Sequence, residues 1–477
     1  MSDAVARLNA ALEGRYTLDR FLVEGGRSMK AVTRTLAAAL ALACATCSAP
    51  SSTAIVVTNA LIIDGLGGPP IADGVVVADG GRITGVGPAG SVTIPVGAQI
   101  IDADGGAVMP GLADMHVHML GGWDGEGVDM LGYQRYLNAL LYSGVTTVLD
   151  IGSVLPFIQQ IRAEVDAGRL AGPRIYMVGP LVDGPNPAWP PLTYSAHDAN
   201  TLRSFVAQLS AAGVDAIKGY VGLSEEMVDS LVRIAADESL PVIVHLGSSV
   251  SPPAAVRSGV RAFAHTPRRD WNDDEVAAMI GRGTAVITTL AVIESFSRRR
   301  FQDLAFLDHS LIASTTPPWF LDDLRRFASA EMSDRQVAIA TANTVRLMES
   351  MGTVKQLHDA GVPMVSGTDA PYPGVFQGEG VHRELELLVE AGLSPLEAIT
   401  AATRNAAALM GAEGEWGAIE PGLVADLVIV RGNPAENIAD TRNIIYVIQR
   451  GVLLDRDALA FDLQTDLGSR TVGSVAN

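Results

Sequence analysis

The sequence predicts an α/β protein: a (β/α)₈ TIM barrel with a small β-sandwich domain built from both ends of the chain. Eight apolar, strand-like runs alternate with helical segments through the middle of the chain, which is the pattern of parallel strands joined by helices. Short strands separated by Gly/Pro turns lie before and after that middle. With 477 residues, 48% of them hydrophobic, the chain is long enough to bury such a core.

Residues 1–53 are predicted to be a leader region. Lys30 and Arg34 precede an apolar run at 36–45, and small residues follow, which is the order of a secretory signal peptide over about 29–49. The apolar run is too short for a transmembrane span. This pattern predicts a secreted or periplasmic protein.

Two further features of the leader have alternative interpretations. Residues 1–28 resemble the start of a bacterial Ser/Thr protein kinase, but they lack a complete glycine loop and a following lysine strand, so they predict no kinase activity. Cys44 and Cys47, the only two cysteines, could bind metal, act in redox chemistry or carry a lipid anchor. The body of the protein can therefore contain no internal disulfide.

The β-sandwich is predicted from residues 54–106 and 416–477, on either side of a barrel domain at 107–415. The first part contains short apolar runs such as Ile55-Val56-Val57, and a matching run returns at Asp426-Leu427-Val428-Ile429-Val430. Two β-rich ends around a long middle indicate one small domain that both ends build.

The eight predicted barrel strands are 107–116, 146–152, 173–181, 215–221, 241–247, 262–266, 285–292 and 363–370. Ser394-Pro395-Leu396-Glu397 has the N-cap, proline and glutamate of a helix start, and this helix is predicted to end at Gly411. The span 293–361, after the seventh strand, is much longer than one helix. We expect it to be a lid over the catalytic face of the barrel.

Chemically active side chains follow the strands at the ends where barrel enzymes place their catalytic groups. His116 and His118 are two residues apart, so both imidazoles point the same way. The other members are Lys218 at the fourth strand, His245 at the fifth, His265 at the sixth and Asp369 at the eighth. Each alone has an ordinary interpretation as a core histidine, an exposed lysine or a turn. Together, in barrel order, they predict a metal site.

Three longer motifs surround these residues: Pro110-Gly111-Leu112-Ala113-Asp114-Met115-His116-Val117-His118, the stretch from Ser366-Gly367-Thr368-Asp369-Ala370 to Ala391-Gly392-Leu393-Ser394-Pro395, and Gly417-Ala418-Ile419-Glu420-Pro421-Gly422-Leu423-Val424-Ala425-Asp426-Leu427. On these motifs the chain resembles the metal-dependent amidohydrolase superfamily, in the group of imidazolonepropionase-like, Xaa-Pro dipeptidase-like and ochratoxin-amidase-like proteins. The resemblance covers about residues 55–451. It implies two divalent metal ions: His116, His118 and Asp369 on one, His245 and His265 on the other, and Lys218 as a carboxylated bridge.

Elementary chemistry supports these implied roles. A lysine ammonium beside two dications is disfavoured, whereas a neutral Lys218 can add carbon dioxide and become an anionic carbamate with two oxygens. Nitrogen and oxygen donors without cysteine favour Zn²⁺, with manganese, cobalt or nickel as alternatives. A metal-bridging water then becomes the nucleophile, and Asp369 is the expected catalytic residue that carries its proton to the leaving nitrogen.

Four residues are candidate substrate contacts. Tyr220 and His382 resemble family positions that contact substrate or stabilise an oxyanion. Arg268 and Arg269 could bind a substrate carboxylate, although a solvated charge pair is the alternative.

The predicted function is hydrolysis of a carbon–nitrogen bond in a small amide or peptide-like substrate, with dipeptides and N-acyl amino acids as candidates. A net charge of −19, from 34 basic and 53 acidic residues, argues against nucleic acid as a partner. The alternatives are a cyclic-amide or ester hydrolase on the same site, a one-metal deaminase, and a catalytically inactive barrel used for binding. A homo-oligomer is the expected assembly.

Overall fold

The structure is a computed structural model that describes residues 54–122, 127–245, 247 and 249–467. The signal peptide predicted at 29–49 and the kinase-like start at 1–28 lie outside these residues and stay predictions. Among the described helices, none is both long and apolar enough to cross a membrane.

Eight short parallel strands form the barrel that the sequence predicts, and the fold class is confirmed. They are Leu112–Val117, Val145–Asp150, Arg174–Met177, Ile217–Gly219, Val242–Val244, Ala262–Phe263, Ala285–Ile287 and Met364–Val365, called barrel strands one to eight below. Asp215 N donates to Met177 O at 2.9 Å and so joins strand three to strand four. Met115 N donates to Ser366 O at 3.0 Å, which closes strand eight onto strand one.

The β-rich domain comes from both sides of the barrel sequence, as predicted. Its mixed sheet, called the terminal sheet below, consists of Ile55–Ile62, Ile71–Asp79, Arg82–Pro88, Gln99–Asp102, Ala107–Pro110, Leu427–Val430, Ile444–Gln449 and Val452–Leu453. Ala107–Pro110 lies at its centre, parallel to Ile55–Ile62 and antiparallel to Leu427–Val430. Apolar side chains of both halves share one core, which includes Ile62 and Ile429.

The first predicted strand, 107–116, is corrected by the structure because it is two strands. Ala107–Pro110 belongs to the terminal sheet, and Leu112–Val117 belongs to the barrel. Gly111 lies between them, where a Cβ would come within 2.1 Å of Thr146 Oγ1. Only glycine allows this close approach, so the chain can pass from one sheet to the other at this point.

The helices cover the barrel. They are Tyr133–Tyr142, Leu155–Asp166, Ala199–Ala211, Glu225–Asp237, Pro252–Ser258, Asp273–Arg282, Leu290–Phe296, Ser310–Ala313, Pro318–Ser329, Asp334–Asp359, Glu379–Glu390, Pro395–Ala401 and Arg404–Leu409; Leu181–Asp183 and Thr193–Ser195 are two further short strands. The helix start at Ser394 is confirmed, since its side chain caps Glu397 N. The predicted single helix up to Gly411 is instead two helices, with Thr403 between them.

The long span between strands seven and eight folds into helices, the longest of which is Asp334–Asp359. It contributes Ile293, Phe296 and Arg346 to the wall of the cavity at the C-terminal ends of the strands. Movement of this span as a lid stays a prediction.

Candidate active site

A cavity of about 240 Å³ opens at the C-terminal ends of the barrel strands. It is lined by all six of the residues that the sequence singles out as metal ligands: His116, His118, Lys218, His245, His265 and Asp369. Because parallel strands present their carboxyl ends at one face, residues that are far apart in sequence meet there.

Asp369 joins the two histidines of the first strand. Its Oδ1 atom lies 3.2 Å from His116 Nε2 and 3.1 Å from His118 Nε2. The backbone of Asp369 has a left-handed conformation, with φ +64°, which its N–H maintains by donating to His116 O at 2.8 Å. One ligand atom from each of the three residues lies within 4.8 Å of the others, so the three form a group that can hold a metal ion.

The protonation of this group follows from its burial. Burial lowers the pKa of His116 to about 4, which keeps the imidazole neutral at pH 7. Burial acts to lower the pKa of His118, but the hydrogen bond to Asp369 and the charges of Asp369 and Asp150 together raise it. For Asp369, burial acts to raise the pKa, yet His116 and His118 hold it well below its usual range. Asp369 is therefore an anion.

His245 and His265 form a second pair on the neighbouring strands. His265 Nε2 lies 3.1 Å from His245 Nδ1, and His265 Nδ1 lies 2.8 Å from Thr289 Oγ1. Burial lowers the pKa of His245 to about 3 and that of His265 well below its usual value. Both rings are therefore neutral at pH 7, which is the form that binds metal.

Lys218 lies at the base of the cavity with only 2% of its surface exposed. Burial lowers the pKa of its amine to about 7, and the charge of Asp369 offsets only part of this shift. Within the described part of the chain, the ammonium group has no hydrogen-bond or ion-pair partner. A substantial fraction of this buried amine is therefore neutral near pH 7, which is unusual for a lysine.

Two buried carboxyl groups outside the cavity accept hydrogen bonds from the backbone at or next to the proposed ligands. Asp114 accepts hydrogen bonds from His116 N at 3.2 Å and from Thr368 Oγ1 at 2.6 Å, and so ties strand one to strand eight. Asp150 accepts from Met119 N at 2.9 Å and lies near His118. Burial raises the pKa of Asp114 to about 7 and that of Asp150 to about 6. The sequence motif contains Asp114, but only the structure reveals its contacts.

The donor set fits divalent metal ions. Four imidazoles, one carboxylate and one buried amine converge without any cysteine, which is the chemistry of zinc and related ions. His116 Nδ1 is buried and has no hydrogen-bond partner in the described residues. This nitrogen is therefore a buried polar atom that packing alone leaves uncompensated.

The predicted substrate contacts divide into two groups. Tyr220 lines the cavity, with its ring 5.1 Å from that of His245. His382, by contrast, is buried elsewhere, with its ring nitrogens 3.0 Å from Thr441 Oγ1 and 2.9 Å from Ser143 O. This placement corrects the expectation that His382 contacts substrate, because both nitrogens already have partners.

Arg268 and Arg269 also lie outside the cavity lining. Arg268 pairs with Glu349 at 3.1 Å, and Arg269 pairs with Glu275 at 3.0 Å and stacks on Trp271. The alternative interpretation as charge pairs therefore replaces their predicted role as carboxylate ligands.

Most residues of the cavity wall carry no sequence motif. The apolar part includes Trp189, Leu192, Val292, Ile293, Phe296 and Tyr372, and the polar addition is Arg346. These residues come from loops and from the span after strand seven, where no motif marks them. For Arg346, the sequence signal is a basic side chain in the middle of a long helix.

Comparisons with known proteins agree with this geometry. The model of the Amidohydrolase family matches residues 107–454. The chain is 26% identical over 411 residues to the imidazolonepropionase of Sphingopyxis alaskensis, covering 77% of this chain and 88% of that protein. An uncharacterized protein of Mycobacterium tuberculosis (strain ATCC 25618 / H37Rv) is 25% identical over 384 residues, covering 75% of this chain and 88% of that protein.

A solved structure, that of a Xaa-Pro dipeptidase with bound methionine in the active site, has the same fold. Its TM-score is 0.67 at 23% identity, over 84% of this chain and 100% of that chain. The family match covers more than half of this sequence and includes every residue of the cavity. The protein therefore belongs to the amidohydrolase family and is a hydrolase of carbon–nitrogen bonds.

Proposed function

We propose that the protein is a binuclear metallohydrolase that cleaves an amide or peptide-like bond in a small substrate. The observation that carries this proposal is the convergence of His116, His118, Lys218, His245, His265 and Asp369 in one cavity. Zn²⁺ is the proposed metal, and Lys218, as a carbamate, would help to hold both ions.

When bound, the metals supply Lewis acidity and lower the pKa of water to near neutrality. The protein's own groups then handle protons and orientation. Asp369 is an anion beside the metal position, so it can hold a proton on its carboxylate and pass it to the leaving nitrogen. Burial raises the pKa of Tyr220 to about 12, so its hydroxyl stays protonated and can donate to a developing oxyanion.

Dipeptides and N-acyl amino acids are the proposed substrates. The cavity contains the six proposed metal ligands and also has apolar walls, including Trp189 and Phe296, which would accept a hydrophobic side chain of the substrate. The similar fold of the Xaa-Pro dipeptidase supports a peptide-like bond. The relationship to imidazolonepropionase favours the second candidate, a cyclic amide.

The test is metal analysis of the purified protein, followed by an activity screen. We expect about two metal ions per chain and hydrolysis of members of a panel of dipeptides, N-acyl amino acids, cyclic amides and esters. Treatment with a chelator should abolish the activity, and added Zn²⁺ should restore it. A protein that binds no metal and cleaves no member of the panel after loading would be the inactive barrel instead. Activity confined to cyclic amides would select the second candidate.

A further inference from the structure

Arg346 differs from the other cavity residues because it brings a permanent positive charge to the wall. It lies in the helix Asp334–Asp359 and lines the same cavity as the six proposed ligands. Its Nε atom is buried and has no hydrogen-bond partner, and the guanidinium group forms no ion pair with any described residue. Neighbouring Arg268, in contrast, pairs with Glu349 on the same helix as Arg346.

An unpaired guanidinium group in a partly buried cavity is costly, because it loses water without gaining an acceptor. Burial lowers the pKa of Arg346, and Arg268 lowers it further, but an arginine stays charged at any pH at which the protein is folded. The charge of Asp369 raises the pKa of Arg346 and so offsets part of this lowering, but the two side chains form no ion pair. An anionic ligand would supply the missing acceptor.

The other residues of the cavity wall indicate which kind of anionic ligand would fit. Trp189, Leu192 and Phe296 present apolar surface, and Tyr220 presents a hydroxyl group without a hydrogen bond to any described residue. A planar guanidinium fork matches a carboxylate through two parallel hydrogen bonds. The cavity therefore suits a molecule with an apolar side chain, a carboxylate at one end and a cleavable bond beside the metal ligands.

We propose that Arg346 binds the free carboxylate of the substrate and so makes the enzyme specific for amides of amino acids with an unblocked carboxyl group. This inference rests on the proposed function and adds a specificity residue to it. Neutral cyclic amides and carboxamides would leave the Arg346 charge unpaired, so they would be poor substrates.

The test compares acids with their matched carboxamides. The probes are N-acetyl-L-leucine, N-acetyl-L-phenylalanine and glycyl-L-leucine, each beside its primary carboxamide. For the metal-loaded wild-type protein, we expect a kcat/KM about 10²-fold higher for the acids, mainly through KM, because a charge-assisted pair forms in the complex. Arg346→Met should remove this preference, and Arg346→Lys should keep part of it. Arg335→Met, an exposed arginine on the same helix, is the matched control and should keep all of it.

Binding measured by calorimetry separates failure of the inference from failure of the proposed function. If no probe is cleaved but the acids bind more tightly than the carboxamides only when Arg346 is present, the hydrolytic function is wrong and the carboxylate site stands. Equal kcat/KM for acids and carboxamides would overturn the inference and leave the hydrolase intact. A preference that survives in Arg346→Met would also overturn it, as would a panel in which no acid binds or reacts.

Discussion

Among the described regions that bury charged side chains, two differ in whether those charges have ion-pair partners. In the cavity, Lys218 and Arg346 have no acidic partner among the described residues. Beside it lies what we call the arginine–glutamate cluster: Glu294, Arg299, Arg300, Glu379, Arg383, Glu386, Glu390 and Arg442. There each arginine contacts at least one glutamate.

The cluster is held together at short distances. Glu379 is fully buried and pairs with Arg300 at 2.5 Å and with Arg442. Burial acts to raise the pKa of Glu379, but the two arginines lower it to about 2. In the cavity, burial lowers the pKa of Lys218 to about 7 because only the charge of Asp369 opposes it. Buried charges that have ion-pair partners are thus part of the folded structure, whereas buried charges without such partners indicate a ligand-binding site.

The largest expected effect is that of Lys218→Ala. Removal of the proposed bridge should lower metal content below one ion per chain and reduce turnover to background, since both ions depend on it. A short added carboxylic acid should restore part of each by supplying two oxygens. Lys355→Ala, which removes an exposed lysine paired with Asp359, is the control and should change neither. A Lys218→Ala protein with full metal and near-normal turnover would rule out the carbamate bridge.

Next comes Glu379→Gln, which should destabilise the protein by about 3–5 kcal/mol because buried Arg300 loses its glutamate partner and Arg442 keeps only Glu386. Chemical denaturation of the metal-loaded protein measures this loss. Turnover of the folded fraction should be unchanged, since Glu379 does not line the cavity. Unchanged stability would show that the cluster's charges are compensated in another way.

Asp369→Asn should separate chemistry from metal binding. Asparagine keeps one oxygen donor but cannot hold the transferred proton, so turnover should fall on the order of 10²-fold or more while much of the metal stays bound. Metal analysis and kinetics on the same sample measure the retained metal and the loss of turnover. Wild-type turnover would remove Asp369 from proton transfer.

The same cluster should give the protein a defined acid sensitivity. Glu379 has a pKa of about 2 when folded and an ordinary value of 4.5, so its contribution to stability is complete above pH 4.5 and is lost as the pH falls towards 2. The stability gap between wild type and Glu379→Gln should therefore be smaller at pH 4 than at pH 7 by about 1 kcal/mol. Denaturation curves at both pH values measure it, and a gap that widens in acid would contradict the pairing.

The smallest expected effect is that of Glu390→Gln, at the solvent-exposed edge of the cluster. Its side chain is 46% exposed and contacts Arg299, which also has Glu294. Screening by water limits the loss to below about 1 kcal/mol. A loss as large as that of Glu379→Gln would show that position in the cluster does not matter.

The sequence was sufficient for the barrel and the six converging residues because both depend on local rules. Strand periodicity is local, and the parallel arrangement brings strand ends to one face, so His116 and Asp369 could be placed together without knowing any distance. The resemblance to the amidohydrolase superfamily added the prediction that Lys218 bridges the two metal ions.

The errors have a common physical cause. Arg268 and Arg269 were assigned from their place shortly after His265, and His382 from its resemblance to a family position. The partners of Arg268 and His382, Glu349 and Thr441, are distant in sequence. The division of strand 107–116 depends on the contact of Gly111 with Thr146, which is also long-range. Arg346 was missed because a helix pattern does not reveal which side chain faces a cavity across the barrel.

The strand Ala107–Pro110 emerges from the ribosome early, yet it pairs with Leu427–Val430, which is made much later. Barrel strand one, with His116, continues directly from it across Gly111. Long-range pairings of this kind form after the intervening chain has collapsed. We therefore expect metal capture to be a late, post-synthetic event: the ion pool that the finished chain meets, rather than the one around the growing chain, determines which metal it keeps.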